Sequence, residues 1–220
     1  MSTIIDLTEK TISLFSKKTK GTILKESLLL FNEQTFNQTT TANIAKSSNV
    51  LEGSLWYHFK SKKDLLVAHI ELFESSFKTN IENLKVGNKE VVIQKLFSIY
   101  GFVWDFRYIF RDSFTAYEKD DRNLADRIQK TNALLDELVE EVLEYSVEIN
   151  ITKVGSEELE EIGELILIIG RYWLDYSRKQ YPNESNHLLQ KRGINLLIKV
   201  LYPYLTNDSK EIMDLVYEKV

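Results

Sequence analysis

Residues 39–66 read TTTANIAKSSNVLEGSLWYHFKSKKDLL, and this stretch decides the fold. Thr40 places a hydroxyl side chain directly before residues 41–47, a short segment that turns Ile44 and Ala45 to one side. That is an N-cap followed by a helix. Ser48-Asn49-Val50 is the turn, with Val50 set to plug the angle between two helices. Residues 51–58 form the second short helix, with Leu55 and then Phe59 inward. Ser61 caps a long helix through about residue 84, in which Leu65, Leu66, Ile70, Phe73, Phe77, Ile81 and Leu84 keep one apolar stripe. Two short helices joined by a tight turn make a helix-turn-helix, whose second helix is shaped for a DNA major groove. The same spacing also suits an ordinary small helical bundle, so spacing alone leaves both readings open.

Upstream, residues 19–34 repeat Ile23, Leu24, Leu28 and Phe31 at helical spacing, and Asn37 to Thr40 break the pattern. Residues 1–17 carry three readings. Ile4, Ile5, Leu7, Ile12, Leu14 and Phe15 suit a short amphipathic helix; Lys17, Lys18 and Lys20 suit a basic arm reaching the DNA backbone; a frayed terminus is the third. Downstream, Val86-Gly87-Asn88 breaks the long helix. Helical runs follow over residues 90–111, 122–147, 156–181 and 187–202, with a short one at 210–220. Gly155, Pro182 and Pro203 punctuate them. Ser156 is expected as a cap, and Gly163 and Gly170, seven apart, as points of close helix approach.

Composition agrees with an all-α chain. Among 220 residues, 43% hydrophobic, there are only 8 Gly and 2 Pro, too few for the turns of a strand-rich fold. The absence of cysteine excludes disulfides and thiolate metal sites and fits a reducing cytoplasm. The N-terminus lacks a secretory signal pattern. The longest greasy run, residues 165–169, is far too short for a membrane span. The net charge of −5 is unevenly divided: residues 1–66 hold nine Lys against six acids, and the acidic excess lies in the remainder. A basic head on an acidic body suits contact with phosphate at one end. No Gly-rich phosphate loop, serine elbow or paired-His spacing is present, and His58, His69 and His187 are scattered, so neither an enzyme nor a metal or cofactor is expected.

From Thr19 to Leu66 the chain resembles the DNA-binding domain of TetR/AcrR-type transcriptional regulators. The matching residues are Ile23-Leu24, Ser27-Leu28, Leu30-Phe31, Thr39-Thr40, Ile44-Ala45, Val50, Gly53, Leu55-Trp56-Tyr57-His58-Phe59, Lys62 and Leu65-Leu66, collinear and without gaps. Two residues depart from the family pattern: Thr35 stands where glycine is usual, and Trp56 where tyrosine is usual. The resemblance implies an N-terminal three-helix DNA-binding domain over 17–77, with the helix-turn-helix at about 40–59, and a larger C-terminal helical domain over 78–220 for ligand binding and dimerisation. It implies a homodimer on double-stranded DNA, at a palindromic operator.

It also implies that residues 51–58 enter the major groove. On that placing Glu52 and Ser54 face base edges; Glu52 either accepts from cytosine N4 or is simply a favourable charge at a helix start. Gly53 lets the backbone approach bases closely, or is a tolerated glycine. Trp56 offers one N–H. Tyr57 and His58 meet phosphate or sugar, with buried packing as the other reading of His58. Lys60, Lys62 and Lys63 meet phosphate or form a solvated run. Thr40 and Thr41 present a hydroxyl and free N–H groups to a phosphate oxygen. This helix has no Arg, so the commonest guanine contact is missing.

In the body, Tyr108-Ile109-Phe110-Arg111-Asp112 and Asp121-Arg122-Asn123-Leu124-Ala125 resemble the ligand-domain pattern of one branch of the family. Two long, over-hydrophobic helices late in the chain fit a four-helix dimer interface or, alternatively, one large intramolecular core. Trp104, Phe114, Tyr117, Tyr172, Trp173 and Tyr176 are the candidate contacts for a small-molecule effector, apolar or aromatic in character. The competing expectations are a regulator of the same fold without a ligand and a helical interaction scaffold.

Overall fold

The computed structural model describes residues 7–219, apart from the side chains of Ala116 and Ser156; the apolar Ile4 and Ile5, and Val220, lie outside the described residues, and the N-cap expected at Ser156 falls one residue earlier, at Gly155. The chain runs through α1 (Glu9–Ile12), α2 (Thr19–Gln34), α3 (Thr41–Ser47), α4 (Glu52–His58), α5 (Lys62–Glu82), α6 (Lys89–Asp105), α7 (Tyr108–Arg111), α8 (Thr115–Glu118), α9 (Arg122–Glu148), α10 (Ser156–Gln180), α11 (Asn186–Leu201), a 3-10 turn (Tyr202–Tyr204) and α12 (Asn207–Glu218). The all-α expectation holds: the described residues contain no strand, only an isolated bridge between Thr152 and Leu205. No described helix is long and apolar enough to cross a membrane.

One expected helix is two. The run over 90–111 breaks at Phe106 and Arg107, whose amides bond three residues back, to Val103 and Trp104 (3.1 and 3.2 Å). The Arg107 guanidinium also folds back onto the Trp104 carbonyl at 2.9 Å. The tightened turn puts Phe106, Tyr108 and Ile109 all into the core. An unbroken aromatic run carries no sign of such a break.

The chain divides into two compact units: residues up to Ser76 with Phe102–Thr131, and Phe77–Gly101 with the residues from Asn132 onward. In the first, Ile23, Leu28, Phe31, Phe36, Ile44, Leu55, Leu65, Leu66, Ile70 and Phe73 are fully buried. Phe31 packs on Phe36 and Tyr108 at ring separations of 4.9 and 5.0 Å. Phe73 stacks on Phe102 at 5.4 Å. α1 is a single turn, shorter than the amphipathic helix read for this region. Thr8 caps it, and the Thr8 amide and hydroxyl both donate to the Asp105 carboxylate (3.0 and 2.6 Å). Burial pushes the Asp105 carboxyl up, against the pull of those donors.

In the second unit, α10 and α11 pack closely at Gly193. A Cβ on Gly193 would sit 2.0 Å from the Tyr100 hydroxyl and 2.5 Å from the Trp173 ring, whereas Gly163 has ordinary contact distances and Gly170 faces open space. The Trp173 indole N–H donates to the Leu189 carbonyl at 2.9 Å, holding its ring across that point.

α2 ends at Thr35, whose φ of 91° and ψ of 153° belong to a region that essentially only glycine populates. The turn keeps a glycine geometry around a β-branched side chain. Its amide still closes α2, donating to the Phe31 carbonyl at 3.1 Å, and its carbonyl accepts from Thr39 at 3.2 Å. Thr35→Gly is therefore expected to stabilise the chain by about 1 kcal/mol, raising the thermal midpoint by a few degrees. An unchanged or lowered midpoint in calorimetry would refute the strain.

Candidate nucleic-acid interface

α3 and α4 are short because each has little to bury. α3 turns Ile44 and Ala45 inward, and α4 buries Leu55 alone. The Thr40 hydroxyl oxygen accepts from the Asn43 amide at 3.1 Å, as its N-cap reading requires. The turn between the helices passes through Asn49 at φ 53°, a left-handed residue that asparagine tolerates. The Val50 amide then donates to the Ala45 carbonyl at 3.0 Å.

With Leu55 inward, the rest of α4 faces out. Glu52, Gly53, Trp56 and Tyr57 are exposed, Tyr57 to 76%, while Ser54 and His58 are half-buried. The Tyr57 and His58 rings meet edge to face at 5.1 Å. The Lys60 ammonium lies over the Tyr57 ring at 6.0 Å. Lys60 and Lys46 are exposed, as are Lys17, Lys18 and Lys20. A Cβ added to Gly53 would meet nothing within 4 Å, so nothing inside the chain requires a glycine there.

The lysine run is not uniform. The Lys62 ammonium turns inward and donates to the Phe36 and Thr39 carbonyls at 2.7 and 2.8 Å, over the Phe36 ring at 4.6 Å. Burial lowers its pKa. In this position it ties the α2–α3 connection to the start of α5. Lys63 pairs with Asp121. Asp64 accepts from the Lys60 and Ser61 amides (2.8 and 3.1 Å) while Ser61 accepts from the Asp64 amide (3.2 Å), a reciprocal cap that starts α5 directly after the exposed face.

Residues whose contacts sequence reading did not foresee, two of them read there as part of a ligand-domain pattern, fix α2 and the turn after it. Arg111 and Asp112 are paired and almost fully buried. The Arg111 guanidinium donates to the Asn32 and Phe31 carbonyls, both at 2.8 Å, and Asp112 accepts from the Phe36 amide. The Asn32 side chain donates to the Asp105 carbonyl at 2.7 Å and accepts from the Tyr108 amide at 3.2 Å. His69, fully buried on α5, lies 2.9 Å from the Leu24 carbonyl through Nε2 and 2.8 Å from the Tyr108 hydroxyl through Nδ1. A carbonyl can only accept, so Nε2 carries the proton and Nδ1 receives the Tyr108 O–H. No periodicity rule reveals these pairings, because their partners are far apart in sequence.

The six aromatic candidates divide between the units. Phe114 and Tyr117 meet Phe36 edge to face at 5.3 and 5.5 Å, and Trp104 is buried with the Arg107 guanidinium over its ring at 4.9 Å. Tyr172, Trp173 and Tyr176 lie together on α10, with Tyr176 at 5.4 and 6.0 Å from the other two rings.

Residues 23–69 match the family model for bacterial regulatory proteins of the tetR family, and residues 73–213 match the TetR model, described as a bacterial transcriptional repressor. The chain is 26% identical over 193 residues to IcaR of Staphylococcus aureus (strain Newman), the HTH-type negative transcriptional regulator of the biofilm operon icaADBC. The match covers 77% of this chain and 96% of the relative. Among solved structures it is similar to a TetR-family transcriptional regulator from Marinobacter aquaeolei VT8 (TM-score 0.65, 21% identity, 92% of this chain and 98% of that one). It is also similar to the SmeT–triclosan complex (TM-score 0.58, 17% identity, 87% and 93%).

Burial lowers the His69 pKa from 6.5 to about 4. The folded chain thus resists a proton that the unfolded chain accepts. Stability is intact above pH 6.5 and falls as pH drops from 6.5 towards 4, by about 3 kcal/mol at pH 4. Urea unfolding across this range should show His69→Gln losing that much less than the wild type; parallel curves would disprove the assignment.

Proposed function

The chain belongs to the bacterial TetR family of transcriptional regulators, proteins that bind DNA and are not enzymes, and from this premise we propose a ligand-responsive repressor that binds a palindromic operator as a homodimer. Residues 17–77 serve as the DNA-binding domain and residues 78–220 as the domain for ligand and dimerisation. The observation that carries the reading is the outward face of α4. One buried leucine holds the helix, and Gly53, Tyr57 and Trp56 face solvent with Lys60 beside them.

On this reading α4 enters the major groove. Glu52 and Ser54 approach base edges, while Thr40, Thr41, Tyr57, His58 and Lys60 meet the backbone. Trp56 adds an indole N–H. Lys62 acts by holding the turn behind α3, with its ammonium already on two carbonyls. The dimer face is the stripe of Leu165, Ile168 and Tyr172 on α10, with Leu188 of α11: large apolar side chains that the single chain leaves exposed. Gly170 on the same helix has open space above it, room for a second helix to approach.

The effector is an apolar or aromatic small molecule held in the 78–220 domain, with Trp173 and Tyr176 of α10 as its candidate contacts. The similar SmeT, solved with triclosan, supports that class. The effector favours a state in which α5 has moved, so that two α4 helices no longer span successive major grooves about 34 Å apart. A second reading, a regulator without effector, draws support from the tight packing of Trp104 and Trp173. No membrane segment or cofactor enters either reading, and both place the protein with the chromosome in the cytoplasm.

Footprinting on the DNA flanking its own gene is expected to give a palindromic protected site, with affinity falling roughly a hundredfold or more from 50 to 200 mM salt. No protection, or salt-insensitive binding, would sink the proposal. Gly53→Ala should keep or slightly raise the thermal midpoint while weakening operator binding about tenfold or more, because a methyl now stands between backbone and bases. Unaltered affinity would remove Gly53 from the interface.

A further inference from the structure

Leu51 is 83% exposed, more than any other large hydrophobic side chain described. It occupies the N-cap of α4, where it makes no side-chain hydrogen bond. Both facts run against stability. A serine, threonine or aspartate at that position would satisfy a free amide of the first turn, and leucine is among the poorest caps. An isolated leucine gains nothing from water. Thr40 caps α3 and Ser61 caps α5 through their hydroxyls, while Lys18 before α2, like Leu51, makes no side-chain cap bond. Leu51 differs from Lys18 in being apolar, and it stands on the helix whose outward face is the proposed reading surface, two residues before the glycine that nothing in the chain requires.

We propose that Leu51 is a specificity-determining residue that reads thymine through its C5-methyl group in the major groove; the inference rests on the DNA-binding reading above. The major-groove edge of thymine is the only one of the four that presents a methyl group, and aliphatic side chains recognise it by contact. An exposed leucine has no donor or acceptor with which to address guanine, cytosine or adenine edges. The neighbouring side chains divide the work. Glu52 and Ser54 are the polar side chains placed at base edges on that reading, and α4 has no arginine for guanine. Apolar contact with a methyl thus supplies discrimination that the missing guanidinium does not. Tyr57 and Trp56 are further large apolar surfaces facing out on this helix.

The test uses the full chain and its footprinted operator. Each thymine of a half-site, with its symmetry mate, is replaced by deoxyuridine, which removes the methyl and leaves base pairing intact. For one symmetric pair the wild-type affinity is expected to fall roughly tenfold, about threefold to fivefold per half-site, as for loss of one buried methyl contact. Leu51→Ser is expected to bind the thymine and deoxyuridine operators equally, with a thermal midpoint no lower than wild type because the cap is restored. That midpoint separates a lost contact from a damaged fold. Operator binding by the wild type that is indifferent to every deoxyuridine replacement overturns the Leu51 assignment alone, as does a Leu51→Ser protein that still discriminates. Absence of any operator binding overturns the DNA-binding reading and this inference with it.

Discussion

The backbone at the C-terminal end of α2 must be satisfied without water, and much of the first compact unit follows from how that is done. The last turn of a helix leaves carbonyls without partners. Here the buried Arg111 guanidinium takes the carbonyl of Asn32 and joins the Thr35 amide on that of Phe31, and its own charge is met by Asp112. Asp112 in turn fixes the Phe36 amide just past the turn. A buried ion pair gains little over apolar packing, but its loss would strand charges and carbonyls together. This arrangement holds Thr35 in a conformation that an L-residue otherwise avoids. It sets Phe36 among Phe31, Tyr108 and Phe114. Lys62 then closes the connection from the other side, through the Phe36 and Thr39 carbonyls.

Around this core, the outward face of α4 keeps residues that contribute nothing to folding. Leu51 gives up a cap, Gly53 gives up helix propensity without any packing reason, and Tyr57 leaves most of its surface in water. Each choice costs a fraction of a kcal/mol to about 1 kcal/mol. Local rules broken together on one small surface, with no compensation inside the chain, mark a surface shaped by what lies outside it.

The second unit shows a related contrast between glycines. Gly193 is where Tyr100 and Trp173 crowd the α11 backbone, so its missing side chain is filled by the chain itself. Gly170 has nothing above it, in the helix whose Leu165, Ile168 and Tyr172 are exposed. One glycine serves an internal contact; the other leaves room at the surface.

The sequence by itself determined the all-α class, the helix-turn-helix over about 40–59 and nearly every helix boundary, because caps, turn residues and apolar stripes act within a few residues of one another. It also determined the family, through the collinear pattern from Ile23 to Leu66, which lies within the residues 23–69 that the tetR-family model matches. Only the tertiary structure decided the break at Phe106 and Arg107, the inward turn of Lys62, the burial of His69 and the role of Arg111 and Asp112. It also grouped Phe102–Thr131 with the head's compact unit. Lys62, His69, Arg111 and Asp112 meet backbone groups of residues 24–39 from 23 to 80 positions away along the chain. A lysine in a lysine run and an arginine beside an aspartate look alike in sequence whether they face water or a buried carbonyl. The fold alone sets which of these they meet.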